Sequence, residues 1–207
     1  MTERITEHMS RCLHWMLRFR HRCGYGIHSP FAFGFVTGVV YERGTYYAYG
    51  ALDKCYDAFE KHYAKKAHRP SLRRKDYRLL FRLVNFQRPE VCAVSGFAAD
   101  DPIHDFLRAG SHHTQYLATI DGRPDSVPAL DMAVVDSRNR AMVKRALQLL
   151  RPGGMLVVAG LKDRHVRCEW KNLLEAPQAQ VSFDLRDFGI IFYRPELQRE
   201  HYVINYF

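Results

Sequence analysis

Short apolar runs alternate with helical segments throughout the second half of the chain. Four runs have the length of buried strands, and they are VCAVS (91–95), YLATI (116–120), MAVV (132–135) and MLVVA (155–159). Helical spacing is found at residues 102–109, 139–150 and 163–174. This alternation predicts an α/β fold with right-handed crossovers and a mostly parallel sheet. Ligands of such sheets bind beyond the carboxyl ends of the strands.

The two ends of the chain depart from this alternation. Residues 180–184 and 189–193 predict a closing strand pair, and a last strand is expected at 201–206. Before residue 89 the pattern is helical, and helices are predicted over 5–22, 31–40, 51–66 and from Ser71 to Pro89. Ser29 is expected to cap the second of them, with Pro30 in its first turn. We therefore predict a helical N-terminal extension (1–88) and an α/β domain (89–207).

Composition limits the class of protein. With 207 residues and 47% hydrophobic content, the chain can bury a sizeable core. The N-terminus is charged where a signal peptide would be apolar, and no apolar run is long enough to span a membrane. The five cysteines include no C-x-x-C pair, which is typical of reduced thiols. These features predict a cytoplasmic protein without a membrane partner.

The formal net charge of +9 is concentrated in one segment. Residues 61–90 hold ten Lys and Arg residues against two acids. With Tyr63 and Tyr77 among them, these cations could neutralise phosphates and stack on bases, which suggests nucleic-acid binding. The helical spacing of apolar residues in the same segment favours the other interpretation, a solvated helix face over a buried one.

Three stretches carry a resemblance to a known family. YGIHSPF (25–31) is similar to an N-terminal H-G-x-H-S-P-F element, and residues 130–160 resemble a strand, helix and strand that include an L-x-P-G-G turn. Residues 183–207 resemble a closing antiparallel hairpin. Together they resemble a bacterial family of class I S-adenosylmethionine-dependent methyltransferase-like proteins. The resemblance implies a Rossmann-like methyltransferase fold, S-adenosylmethionine as cofactor and an unidentified methyl acceptor.

The resemblance also implies a cofactor loop after the first strand. It places Ser95, Gly96 and Phe97 against the cofactor. The family's acid at the strand end is replaced by Val94, and its second glycine by Asp100. Glycine allows the backbone to approach a ligand closely, so an aspartate here is expected to obstruct that approach.

Two acids complete the site that the resemblance implies. Asp121 would hold the ribose hydroxyls, and Asp136 matches a position that contacts the methionine part or a metal. Only residues 122–130 separate Asp121 from the next strand, so a helix and strand are expected to be missing there. Because the pair Ala159-Gly160 replaces the acids of metal-dependent relatives, we predict no metal.

Three functions remain open from the sequence. The first is methyl transfer from S-adenosylmethionine. The second is a degenerate methyltransferase fold that acts, without catalysis, as a binding or scaffolding module. The third is nucleic-acid binding through residues 61–90. No catalytic residue is assigned by the sequence.

Overall fold

The computed structural model of the chain describes residues 26–63, 72–120, 128–161 and 164–206. The helix predicted over 5–22 lies outside this part. The described helices are α1 (Pro30–Phe35), α2 (Tyr49–Tyr63), α3 (Arg74–Gln87), α4 (Ile103–Gly110), α5 (Arg140–Leu149) and α6 (Arg164–Leu174). The described strands are β1 (Val91–Ser95), β2 (Gln115–Leu117), β3 (Leu130–Asp136), β4 (Leu150–Ala159), β5 (Val181–Asp184), β6 (Phe188–Phe192) and β7 (Glu200–Val203).

The strands form one mixed sheet in the order β2-β1-β3-β4-β6-β5-β7. β1 runs parallel to β2 and β3, and β3 runs parallel to β4. β6 is antiparallel to both β4 and β5, and β7 extends the far edge as a parallel partner of β5. The predicted α/β class, mostly parallel sheet and C-terminal antiparallel strands are confirmed.

Strand boundaries follow the prediction closely at the centre of the sheet and less closely elsewhere. β1 covers the predicted residues 91–95. β2 is shorter than predicted, because it pairs with β1 over three residues. β4 begins five residues earlier than predicted, because Gly153 and Gly154 exchange backbone hydrogen bonds with Tyr193 at 2.6 and 2.9 Å.

The helix predicted over 31–40 has two parts. Ser29 caps α1 as predicted, since its hydroxyl accepts the N–H of Ala32 at 3.4 Å. After Phe35 the chain continues as a π-helical turn, Val36–Val40. The buried Arg82 donates to the carbonyl groups of the last two residues of this turn, at 2.7 and 3.3 Å. The carbonyl groups at the end of the turn therefore accept hydrogen bonds from a guanidinium that lies more than forty residues later in the sequence.

α3 begins later than the sequence predicted. The predicted cap, Ser71, lies outside the described residues, and Arg73 occupies the N-cap. The carboxylate of Asp76 accepts the backbone N–H of Arg73 at 2.8 Å and its guanidinium Nε–H at 3.0 Å. An acid at the third helical position satisfies a free N–H group at the helix start, which fixes the helix boundary here.

Aromatic side chains join α1 to the antiparallel strands. The ring of Phe35 lies 4.8 Å from that of Phe183 and 5.0 Å from that of Phe192, between centroids. The ring of Phe31 lies 5.1 Å from that of Phe192 in an edge contact. Such contacts add to the stabilisation from apolar burial. The N-terminal extension and the sheet thus share one hydrophobic core.

We predict that Phe35→Ala lowers the free energy of unfolding by about 3–5 kcal/mol, because the buried ring leaves a cavity. Phe33→Ala, in the same helix, is the matched control, since Phe33 is 48% exposed. Its cost should stay within about 1 kcal/mol. Urea unfolding of both variants measures the difference, and equal losses would show that α1 is not anchored through Phe35.

Candidate functional site

The predicted site residues of β1 and β3 lie at one edge of the sheet. Ser95 ends β1 and pairs in register with Val135, one residue before Asp136 ends β3. Asp136 is in turn level with Ala159, the last residue of β4. Because these strands are parallel, their carboxyl ends meet at the same edge. This edge is the place where ligands of parallel α/β sheets bind.

Gly96 allows the loop after β1 to lie against β3. Its φ angle is +89°, a conformation that favours glycine. A Cβ atom at this position would lie 2.7 Å from the Cβ of Asp136. The next residue, Phe97, is half-buried and packs against the core, and Ser95 is buried. The structure therefore brings together Ser95, Gly96, Phe97 and Asp136 at this edge.

Asp136 is already neutralised by a neighbour. Its carboxylate accepts hydrogen bonds from the backbone N–H, Nε and Nη2 of Arg138, at 2.8, 2.9 and 2.7 Å. The Asp136 side chain is 5% exposed, whereas that of Arg138 is 70% exposed. The hydrogen bond and the charge of Asp136 raise the pKa of Arg138. A ligand cation at this carboxylate would compete with the guanidinium.

Asn139 serves the helix that follows. Its side-chain oxygen accepts the N–H of Met142 at 3.3 Å, which caps α5. Caps of this kind satisfy one of the free N–H groups in the first turn of a helix. Asn139 thus has a structural role at the start of α5.

The loop that carries the substituted glycine is bound to the helical extension. Tyr63 of α2 donates to the carboxylate of Asp100 at 2.7 Å, which raises the pKa of Tyr63. Tyr77 of α3 donates to Asp101 at 3.0 Å, and Asp101 also accepts the N–H of Ile103 at 2.9 Å. The Asp100 side chain, which the sequence predicted to obstruct a cofactor, is hydrogen-bonded to α2.

Asp121 and the expected shortening after it stay predictions. Asp121 lies outside the described residues, as do residues 122–127. Within the described part of the chain, β2 pairs only with β1 and forms the edge of the sheet. The binding of the ribose hydroxyls by Asp121 therefore stays a prediction.

Polar contacts extend the edge beyond Asp136. The Ser137 hydroxyl donates to the carbonyl of Gly160 at 3.0 Å. The N–H groups of Gly160 and Leu161 donate to the carbonyl of Asp187, at 2.8 and 3.2 Å. The Asp187 carboxylate, 2% exposed, accepts from the guanidinium of Arg73. A continuous set of contacts thus connects β3, β4, the turn after β5 and the start of α3.

Lys75 lies in the same region, under the C-terminal segment. Its amine lies 3.8 Å from the centre of the Tyr206 ring, and the Tyr206 hydroxyl donates to the carbonyl of Lys75 at 2.8 Å. The amine is buried and has no hydrogen-bond partner within the described residues. Burial and the neighbouring charge of Arg73 lower the pKa of Lys75 to about 8. This amine is therefore less basic than that of an exposed lysine.

The sequence analysis missed Arg138 and Lys75. The spacing Asp136-Ser-Arg138 could have indicated the first, because an aspartate often accepts hydrogen bonds from the residue two positions later. No local pattern indicates the second, because the ring that covers Lys75 belongs to Tyr206, 131 residues further along the chain.

Cations of the basic segment contact acids and carbonyls of the chain itself. Arg74 pairs with Asp57, Arg78 pairs with Asp53, and Arg82 binds the π-helical turn. These pairs place Arg74 and Arg78 of α3 against acids of α2, whereas Arg82 is buried. They lower the number of cations in this segment that are open to phosphate groups.

Across residues 26–63, 72–120, 128–161 and 164–206, no three His, Cys, Asp or Glu side chains are placed to hold a metal ion. In the same residues, no helix has the length and apolarity to cross a membrane. A groove of about 670 Å³ lies between α5 and α6 and is lined by residues such as Val143, Leu147 and Val166. It does not include Gly96 or Asp136.

The fold matches solved methyltransferase structures. A methyltransferase from Geobacter sulfurreducens has a TM-score of 0.52 at 12% identity, with 69% of this chain and 89% of that chain covered. The SAH-bound methyltransferase PaMTH1 from Podospora anserina has a TM-score of 0.50 at 11% identity, with 74% and 90% covered. No protein-family model and no curated protein matches the sequence. At these identities, the similarity shows that the chain has a methyltransferase-like fold.

We predict that Gly96→Ala lowers the free energy of unfolding by more than about 1 kcal/mol, because φ is positive and the new methyl group meets Asp136. Gly34→Ala in α1 is the matched control, since a Cβ there has no neighbour within 4 Å. It should raise stability by up to about 1 kcal/mol. Thermal and urea unfolding distinguish the two, and a neutral Gly96→Ala would contradict the close approach.

We predict that stability rises with pH between about pH 8 and pH 9.5. In this range the unfolded chain binds a proton at Lys75, whose ordinary pKa is 10.5, while the folded chain loses it. Urea unfolding at several pH values measures the slope. Lys75→Met should remove this contribution, and Lys144→Met, at an exposed position, should leave it in place. An unchanged slope in Lys75→Met would contradict the assignment.

Proposed function

We propose that this chain is a methyltransferase-like protein that holds S-adenosylmethionine at the carboxyl edge of its sheet. The observation that carries the proposal is the close approach of Gly96 to Asp136 at the ends of β1 and β3. The likeness of the fold to methyltransferases, one of them SAH-bound, supports it. The three stretches that resemble a bacterial methyltransferase-like family point in the same direction.

The residues at this edge fit the amino acid part of the cofactor in particular. Because Gly96 has no side chain, its backbone is open to close approach by a ligand. The Asp136 carboxylate can accept hydrogen bonds from an ammonium group, and Ser95 and Phe97 complete the loop. We assign Asp121 to the ribose hydroxyls from the resemblance alone. When bound, S-adenosylmethionine supplies an activated methyl group on its sulfonium.

The contribution of the chain to such a reaction is binding and orientation. Fixing the donor against an acceptor can supply a large part of a rate enhancement. The hydrogen bonds from Tyr63 and Tyr77 to Asp100 and Asp101 hold the loop after Gly96 in one position. The loop is therefore positioned before any ligand arrives. The methyl acceptor and a general base are left open.

A second candidate function is a binding module that keeps the fold without catalysis. The observation that favours it is the ion pair between Asp136 and Arg138, which gives each carboxylate oxygen a hydrogen-bond donor from the chain itself. This alternative predicts that the chain binds neither S-adenosylmethionine nor its demethylated product.

We predict that S-adenosylmethionine and S-adenosylhomocysteine each raise the thermal unfolding temperature of the chain. At a ligand concentration one hundred times Kd, the stabilisation should be about 2.7 kcal/mol. Asp136→Asn should reduce the shift, and Asp105→Asn, at an exposed acid of α4, should leave it unchanged. The absence of any shift at millimolar ligand would contradict cofactor binding and favour the module without catalysis.

A further inference from the structure

The guanidinium of Arg138 forms paired hydrogen bonds with the Asp136 carboxylate at the end of β3. The turn between β3 and α5 brings the two residues together, since the N–H of Asn139 donates to the carbonyl of Asp136 at 3.0 Å. The guanidinium donates through Nε and Nη2, one hydrogen bond to each carboxylate oxygen. Paired hydrogen bonds of this kind are among the strong ones that an arginine makes.

The two partners differ in how firmly the rest of the protein holds them. Asp136 ends a strand that is buried along its whole length, and its side chain is 5% exposed. The Arg138 side chain is 70% exposed, and within the described residues its side-chain hydrogen bonds go to Asp136 alone. The carboxylate is therefore fixed, whereas the guanidinium can turn into solvent with the loss of this one pairing.

We propose that Arg138 occupies the Asp136 carboxylate in the absence of ligand and leaves it when the cofactor binds. The ligand group that replaces Arg138 is a primary ammonium, such as the one on the amino acid part of S-adenosylmethionine or S-adenosylhomocysteine. This inference rests on the proposed function, and it adds the residue that competes with the ligand's ammonium for Asp136.

The competition has a consequence for selectivity. A buried carboxylate without a partner is costly, so Arg138 remains in place until another cation arrives. A ligand with the adenosine part but no ammonium, such as 5′-methylthioadenosine, cannot replace it. Arg138 therefore lowers the affinity for ligands that carry the ammonium and does not affect ligands that lack it.

The test is calorimetric titration of the full chain with S-adenosylhomocysteine and with 5′-methylthioadenosine. Because the Arg138 side chain is 70% exposed, solvent screens its pairing with Asp136, and Arg138→Ala should tighten binding of S-adenosylhomocysteine by roughly threefold to tenfold. Its affinity for 5′-methylthioadenosine should not change. Arg138→Gln, which keeps a polar side chain of similar length without the charge, should show the same gain if Arg138→Ala folds poorly.

Arg140→Ala is the matched control. Arg140 lies two residues further along the chain, is 59% exposed and pairs with Glu169 of α6 at 2.6 Å. Its removal takes away the same charge without opening Asp136, so neither affinity should change. In the double variant Asp136→Asn with Arg138→Ala, the gain for S-adenosylhomocysteine should disappear.

The outcomes separate this inference from the proposed function. The inference is overturned if Arg138→Ala binds S-adenosylhomocysteine no more tightly than the wild type, or if both ligands gain by the same factor. If only the Arg138 variants bind S-adenosylhomocysteine, the inference holds while cofactor binding by the natural chain fails. If neither the natural chain nor the variants bind it, both are overturned.

Discussion

The loop after β1 can lie against β3 only because residue 96 has no side chain. The pairing of Ser95 with Val135 fixes the two strand ends, and the positive φ of Gly96 then turns the chain across Asp136. A larger residue would separate the loop from the strand end. Every proposed contact at the candidate site depends on this approach, because it places the backbone of one strand and the carboxylate of the other beside each other.

Residues far apart in the chain contribute to the edge at which this approach occurs. The start of α3 binds the turn after β5 through Arg73 and Asp187, and the segment after β7 covers Lys75 with the ring of Tyr206. On the same side of the molecule, α2 and α3 hold the loop after Gly96 through two tyrosines. The helical extension therefore builds part of the candidate site as well as part of the core.

Features set by local physics could be predicted from the sequence. The apolar run of β1 and the serine cap of α1 each follow from neighbouring residues. Ser95 and Asp136, which the resemblance assigned to one site, lie at the same edge because neighbouring parallel strands end there. Their role in binding a cofactor remains a proposal.

Features set by distant contacts could not be predicted. The π-helical turn depends on Arg82 from α3, and the environment of Lys75 depends on Tyr206. The ion pair of Asp136 is local in the sequence, but the proposed exchange with a ligand depends on the burial of Asp136 and the exposure of Arg138. Sequence patterns report which residues are present and how they are spaced, whereas such burial depends on the assembled sheet.

The most direct measurement of the central claim is a crystal structure of the chain grown with S-adenosylhomocysteine. The account predicts the ligand over Gly96, with its ammonium within hydrogen-bond distance of the Asp136 carboxylate and the Arg138 guanidinium turned into solvent. A structure with the ligand bound elsewhere, or with Arg138 still paired to Asp136 beside the bound ligand, would contradict it.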